Sequence, residues 1–418
     1  MVEFRQVVSA LEARGRLKRV QADQFLSSLA SEDGRMAVMD SSYPVSRVGN
    51  VVLSRELLAE LLGTQGTGGL HLRLAHAVRN PLPLKEAERS ATEEEVESDA
   101  GFLPVPEFHG RTYVTSGIIV ASDGEHFNAS YHRMMKLSDD KFAVRIVPRH
   151  LYKMLSQARE RREPLKVAVV LGGPLEFLMA SASSPEYGVF ELEVANSLAG
   201  GELTFRRSPL FGLPYPAGSE ILLEGTLDPM ELASEGPFFD LLKTYDAVRA
   251  QPVLTVQRAH HRSGPLFHYI MPGGMEHQIL MGLPREAKIR EFVGNVVPSV
   301  RGVYLTPGGG TWLHAVVSIE KQRDGDAKNA MLAAFSAHPS LKHVVVVDPD
   351  VEVTDGRQVE WAIATRFRAD KGLLIVPGAA GSTLDPSALS DGETTKMGID
   401  ATYPIREAEK YKRVDCQS

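Results

Sequence analysis

An asparagine stands five residues before an arginine in Asn128-Ala-Ser-Tyr-His-Arg133, and two acids stand five residues apart in Glu235-Gly-Pro-Phe-Phe-Asp240. These residue types suit acid chemistry on an anionic substrate. A permanent cation at Arg133 can hold a substrate carboxylate and keep one neighbouring acid ionised, which leaves the second acid free to carry a proton. The apolar residues around Glu235 and Asp240 favour that split, because desolvation stabilises a protonated carboxyl. Outside such a setting the same three residues make an ordinary surface salt bridge.

A second set combines Asn128, His150 and Glu191. An amide oxygen, an imidazole and a carboxylate suit Mn²⁺ or Mg²⁺ better than structural zinc, which prefers thiolate and imidazole. The three are distant in sequence, and each has a plain alternative: a turn asparagine, a satisfied histidine, an acid at a helix N-terminus. Glu193 is a neighbouring candidate that faces another side of the same helix. Ser181-Ala-Ser-Ser184 suits close approach to a phosphate, or a loop. Gly308-Gly-Gly310 lacks the trailing Lys-Ser/Thr of a phosphate loop and reads as a turn. Asp348-Pro-Asp350 is either a strand-terminal turn or a Mg²⁺ site. His260 and His261 are adjacent, so in a strand they face opposite ways and chelate poorly.

The chain that positions these residues has 418 residues, 43% of them hydrophobic and 24% charged, which predicts a soluble protein of two or three domains. A net charge of −7 argues against general nucleic-acid binding. The single cysteine, Cys416, excludes an intrachain disulfide and a Cys-rich zinc site, and fits the cytoplasm. Charges throughout residues 1–20 do not fit a signal peptide, and no apolar run reaches the ~20 residues of a membrane span.

Helical spacing predicts a helix over Phe4–Leu17, and Val51–Leu62 reads as a short strand entering a helix. The acidic run Glu86–Glu97 reads as a solvated helix or linker. From about Thr112 short β-type runs dominate: Tyr113–Val120, Ala143–Val147, Leu165–Leu171, Glu202–Arg207, Ile221–Leu227, Val253–Arg262 and Leu266–Met271. Many short strands with few helices suggest a barrel. His150–Arg161 and Phe190–Ala199 are the interspersed helices, and Pro284–Val296 is a connecting helix with its proline near the start. The last third alternates strand and helix, which predicts a largely parallel sheet. The expected architecture is an N-terminal α/β domain over 1–110, a central split β-barrel domain with its connecting helix over 111–297, and a C-terminal α/β domain over 298–418.

Several of these segments, in this order, resemble the UbiD family of decarboxylases, which use prenylated flavin mononucleotide (prenylated FMN). The resemblance rests on Asn-x-Ser-x-x-Arg at 128–133, Ile-Val-Pro-x-His at 146–150, the element running from Glu191 to Gly200, Pro216–Gly225, and Glu-Gly-Pro-Phe at 235–238. Val344–Asp350, Val359–Arg366 and Lys396–Thr402 look like the family's C-terminal segments. The resemblance implies that the central barrel binds the flavin. Asn128, His150 and Glu191 would hold Mn²⁺ or Mg²⁺ on the cofactor phosphate, with K⁺ against Ser181–Ser184. Ser130, Tyr131, Arg149, Ser181 and Lys396 join Asn128 and His150 as cofactor-binding residues, Lys396 through the phosphate. Arg133, Glu235 and Asp240 would be catalytic, with Asp240 the proton donor. Asp240 stands where the ferulic-acid branch carries Glu, so the donor is one methylene shorter.

The segments 142–150, 312–321 and 361–368 look most like an archaeal branch that decarboxylates trans-anhydromevalonate 5-phosphate in an isoprenoid route. A phosphorylated substrate needs a second anion site, with Arg145, Arg149 and His132 as candidates. An aromatic, hydroxybenzoate-type acid is the alternative substrate, and a flavin-independent metal hydrolase using Asn128, His150 and Glu191 the alternative of another class. The resemblance also implies a homo-oligomer, and a separate flavin prenyltransferase that supplies the cofactor.

Overall fold

The two longest strands of the protein, Ile221–Glu235 and Arg249–Arg262, run antiparallel side by side and carry the second acid motif at their joined ends. They form the middle of a ten-stranded sheet. One flank adds Lys141–Val144, Met134–Lys136, Arg111–Val114 and Glu107–Phe108. The other adds Leu165–Leu171, Ile118–Ser122 and Phe127–Tyr131, and Glu95–Ser98 pairs with the far half of Arg249–Arg262. All these pairings are antiparallel. The computed structural model describes residues 1–41, 44–88, 95–390 and 392–411.

The chain divides into two compact units: Met1–Asp240 with Tyr245–Leu280, and Leu241–Thr244 with Met281–Ser418. In the first unit, apolar residues such as Val114, Ile119, Phe142, Val167, Leu223 and Leu254 share one core with Phe25, Leu29 and Val38 from the N-terminal segment. That segment also forms a four-stranded sheet in which Ser46–Gly49 pairs with Leu266–His268. The finer division expected near residue 110 is thus one between sheets that share a core.

The second unit is built on a five-stranded sheet. Its central strands His314–Ile319, His343–Val347 and Glu393–Ala401 are parallel, and both edges, Val300–Leu305 and Leu373–Ala380, are antiparallel. Buried runs such as Val344–Val347 suit a sheet covered on both faces, and an apolar cluster lies on each face.

Several sequence expectations shift in register. The strand expected within Val51–Leu62 lies earlier, at Ser46–Gly49; Ser54 accepts a hydrogen bond from Leu57 N–H and starts a helix at Arg55–Leu61. Tyr113–Val120 is two strands, broken before Ile118. The connecting helix is Met275–Gly294 and runs through Pro284, because burial of Ile279, Leu280, Leu283, Ile289 and Val293 outweighs one lost backbone hydrogen bond. Of the acidic run Glu86–Glu97, residues 95–97 belong to a strand, held by the open edge of Arg249–Arg262; residues 89–94 lie outside the described residues, as does Cys416. No helix among the described residues is long and apolar enough to cross a membrane.

Candidate active site

Glu235 ends its strand opposite Arg249. The turn that follows needs Gly236: its φ is 103°, and a side chain there would meet Ala247 O and Val248 Cα at 3.2 Å. The chain then forms a two-residue ladder, Phe238–Phe239 against Tyr245–Asp246, with Phe238 opposite Asp246. Asp240 follows at once. Arg133 sits between the strands Phe127–Tyr131 and Met134–Lys136, which pair with different neighbours.

These elements bring Arg133, Glu235 and Asp240 together. Arg133 Nε and Nη2 donate to Glu235 Oε1 and Oε2 at 2.9 and 3.0 Å, and Nη1 donates to Asp240 Oδ2 at 2.6 Å. The guanidinium centre lies 4.3 Å from the centre of the Phe238 ring. Glu235 is fully buried, whereas the Asp240 side chain keeps 13% of its surface exposed. Only the second acid has room to meet a substrate.

Sequence reasoning missed three members of the cluster. Tyr113 donates to Glu235 Oε1 at 2.8 Å; burial and the Glu235 charge push its phenol up, so it stays a donor. Asp246 Oδ2 accepts from Arg133 Nη2 at 2.8 Å. Burial would raise this acid, but hydrogen bonds from Arg249 and Arg133 hold it below its ordinary value. The only sequence signal was the Asp246–Arg249 spacing. His277 accepts Gly273 N–H at Nδ1, 3.1 Å away, which places its own proton on Nε2. Burial keeps it neutral, and the charges of Asp240 and Arg133 bear on its ring.

The metal candidates also converge. Asn128 Nδ2 and Ala129 N–H donate to the two oxygens of Glu191 at 2.9 and 2.7 Å, and His150 Nδ1 lies 4.0 Å from Glu191 Oε1. Asn128 lies within a strand and not in a turn, while His150 and Glu191 begin helices as expected. Burial pushes the Glu191 carboxyl up to about 8, and among the described residues no Lys or Arg pairs with it. A buried acid without a cation, beside an amide and an imidazole, fits a hard divalent ion. Among the described residues no three or more His, Cys, Asp or Glu are grouped so that they alone could hold a metal ion. The candidate set holds only two residues of those types, and its third ligand is an amide.

Ser130 Oγ lies 3.0 Å from Asn128 Oδ1, and the buried hydroxyls of Tyr131 and Ser181 have no hydrogen-bond partner among the described residues. Arg149 Nη1 donates to Ser184 Oγ at 3.1 Å. His132 bonds Arg145 O through Nδ1 and Ser130 Oγ through Nε2, each at 2.9 Å, and burial pushes it down to about 4. Neutral and engaged at both nitrogens, it drops out as an anion ligand. Lys396 lies in the second unit, buried, with its ammonium donating to Pro339 O and Leu341 O. The ammonium also lies 5.5 Å from the centre of the Phe335 ring, so its described surroundings show a local role. Asp348 and Asp350 both pair with Arg366, a structural role. His260 and His261 diverge as expected: His260 approaches Glu224, and His261 stacks on Phe102.

Two family models match the chain, the 3-octaprenyl-4-hydroxybenzoate carboxy-lyase Rift-related domain over residues 78–275 and the C-terminal domain of the same carboxy-lyase over residues 278–401. The anhydromevalonate phosphate decarboxylase of Aeropyrum pernix is 47% identical, covering 87% of this chain and 83% of that one. Its counterpart in Methanosarcina mazei is 40% identical, covering 98% of each chain. Among solved structures, the UbiD-class enzyme HmfF from Pelotomaculum thermopropionicum in complex with FMN matches with a TM-score of 0.92 at 35% identity, covering 99% of this chain and 97% of that one. An evolved dimeric form of that enzyme, in complex with prFMN, matches with a TM-score of 0.90 at 32% identity, covering 100% and 97%.

Proposed function

The chain belongs to the UbiD family, and from that premise we propose that it is a prenylated-FMN-dependent, non-oxidative decarboxylase of trans-anhydromevalonate 5-phosphate, releasing isopentenyl phosphate and CO₂. The observation that carries the reading is the guanidinium of Arg133, gripped by buried Glu235 on one side and bonded to partly exposed Asp240 on the other. When bound, the prenylated flavin supplies an electron sink for the bonding pair released with CO₂.

The chain's own residues do the rest. Arg133 orients the substrate carboxylate by a charge-assisted hydrogen bond. Glu235 is its fixed counter-ion, braced by Tyr113. Asp240 gives a proton to the carbon that has lost CO₂, and solvent restores it. Asn128, His150 and Glu191 would hold Mn²⁺ or Mg²⁺ on the cofactor phosphate. Ser130, Tyr131, Arg149 and Ser181 would complete the cradle, with K⁺ against Ser181–Ser184. Lys396 joins them only if it leaves its two carbonyl partners. Arg145 and Arg149 remain candidates for the substrate phosphate. The ten-stranded sheet with its helices is the candidate split barrel. A flavin prenyltransferase as supplier, a homo-oligomeric state and a cytoplasmic setting belong to the same reading.

The test is CO₂ release from trans-anhydromevalonate 5-phosphate by protein co-produced with a flavin prenyltransferase, assayed anaerobically with Mn²⁺ and K⁺. The expected result is release that disappears in Arg133→Ala, in Glu235→Gln, and without the prenyltransferase. Absence of release from protein that carries prenylated flavin would sink this substrate and turn the search to aromatic acids.

A further inference from the structure

Arg133 is bonded to more acid than two-carboxylate chemistry requires. A guanidinium has five N–H groups. Glu235 takes Nε–H and one Nη2–H, Asp240 takes one Nη1–H, and Asp246 takes the second Nη2–H. One Nη1–H is left without an acceptor among the described residues, and it lies on the nitrogen that already bonds Asp240.

Asp246 is equipped for this task. Its Oδ1 accepts from Ala247 N–H at 2.9 Å and from Arg249 Nη1, while Arg145 Nε stands 3.7 Å from Oδ2. Two further arginines therefore balance its charge, so a third acid beside Arg133 does not exhaust the cation. Asp246 also faces Phe238 across the two-residue ladder, and the Phe238 ring lies under the guanidinium. One ladder thus sets both the plane of Arg133 and the occupancy of its Nη2 edge.

We propose that Asp246 is a positioning residue that closes the Nη2 edge of Arg133 to anions, so that a substrate carboxylate can bond only at Nη1, beside the proton donor Asp240. The inference rests on the decarboxylase reading above. Without Asp246, a carboxylate can settle on Nη2, on the edge turned from Asp240. That binding is real but unproductive. Its signature is a fall in kcat with no rise in KM, because misplaced substrate still occupies the site. A residue that merely supported the fold would lower the folded, flavin-loaded fraction, and kcat normalised to that fraction by flavin absorbance would return to the wild-type value.

The experiment measures kcat and KM separately for wild-type, Asp246→Ala and Asp246→Asn holoenzymes, with flavin absorbance and melting temperature as controls. For Asp246→Ala the expected result is a kcat lower by about tenfold with KM equal or lower. Asp246→Asn, which keeps an oxygen able to accept from Nη2, falls between it and wild type. Both parameters within about twofold of wild type would overturn the proposal, as would a raised KM with kcat intact. If the alanine protein does not fold, the asparagine protein decides by the same criteria. Failure of wild type to release CO₂ counts against the decarboxylase reading alone. Asp246 is then judged by equilibrium binding of an unreactive saturated carboxylate: equal or tighter binding in Asp246→Ala supports the proposal, and binding weaker by about tenfold overturns it.

Discussion

Two arginines in this chain are each ringed by acids and stacked on aromatic rings, yet only one has the makings of an active site. Arg366, in the second unit, is fully buried; Nη1 and Nη2 donate to Asp350 at 2.9 and 2.6 Å, Nη1 also reaches Asp348 at 3.0 Å, and the rings of Trp361 and Tyr403 flank it at 4.8 and 4.9 Å. Its partly exposed acid, Asp350, is 40% open and gripped by two N–H groups. Arg133 is 10% exposed, grips its buried acid with two N–H groups, and holds partly exposed Asp240 with one. The lesson concerns which acid is fixed. An arginine that fixes its buried acid with two N–H groups and gives its accessible acid one can support proton transfer. An arginine sandwiched between two rings and bonded twice to its accessible acid is a rivet.

The comparison breaks first at Asp240. Asp240→Asn keeps an oxygen for Arg133 Nη1 but loses the transferable proton. CO₂ release is expected to fall by about a hundredfold to ten-thousandfold, with the melting curve little changed. If kcat survives, Asp240 is no proton donor and the distinction collapses. On the other side, Arg366→Met takes from buried Asp348 its ion-pair partner and leaves it only the more distant charge of Lys321 among the described residues. Denaturant unfolding should then show a loss of about 3–5 kcal/mol, while turnover per folded holoenzyme stays within about twofold. A turnover loss matching that of Asp240→Asn would show that the second cluster takes part in the reaction.

From sequence the two clusters were hard to tell apart. Asp348-Pro-Asp350 read as a turn or a Mg²⁺ site, and Glu235-Gly-Pro-Phe-Phe-Asp240 as a salt bridge or an acid pair, because spacing reports neither burial nor the number of N–H groups each acid receives. What was legible followed from short-range rules. His150–Arg161 and Leu165–Leu171 were read to the residue, since periodicity and flanking signals agree there. The extension of Ile221–Leu227 to Glu235 was not read, because Asp228-Pro229 looks like a breaker. The structure absorbs it in a register shift between Asp228 and Leu232, and the extra length is what delivers Glu235. Asp246 and Tyr113 were illegible because they reach Arg133 and Glu235, respectively, through pairings that no local pattern encodes. The ordered motifs, by contrast, located Arg133, Glu235 and Asp240 without the structure.

The histidines sharpen the comparison at lower energy. His132, the residue before Arg133, is buried and neutral, and its folded value of about 4 lies below the ordinary 6.5. A depressed value means that the unfolded chain binds the proton more tightly. The stability from this group is complete above about pH 6.5 and is lost as pH falls towards 4, amounting to about 3 kcal/mol. His314, in the second unit, is also pushed down to about 4 by burial and by His343, but it is more exposed and should contribute less. Equilibrium unfolding from pH 7 to 4 should therefore show an acid limb that His132→Gln flattens more than His314→Gln does. Equal flattening would mean that the site around Arg133 is no drier than the sheet of the second unit.

Glu191 supplies the last contrast, between an acid given its cation by the protein and one that is not. Glu235 and Glu191 are both buried, but Glu235 has Arg133, whereas among the described residues Glu191 has an amide, a backbone N–H and an imidazole at 4.0 Å. Burying a carboxylate without a cation is costly, and the chain bears that cost at the point where a divalent ion would remove it. Mn²⁺ at a hundredfold excess over its Kd should stabilise flavin-free protein by about 2.7 kcal/mol, seen as a rise in melting temperature. Glu191→Gln should abolish that rise, and without metal it should melt no higher than wild type, since its one amide oxygen can accept from only one of Asn128 Nδ2 and Ala129 N–H. A Glu191→Gln protein that still gains stability from Mn²⁺ would move the ion elsewhere and leave the Glu191 carboxyl as a neutral structural group.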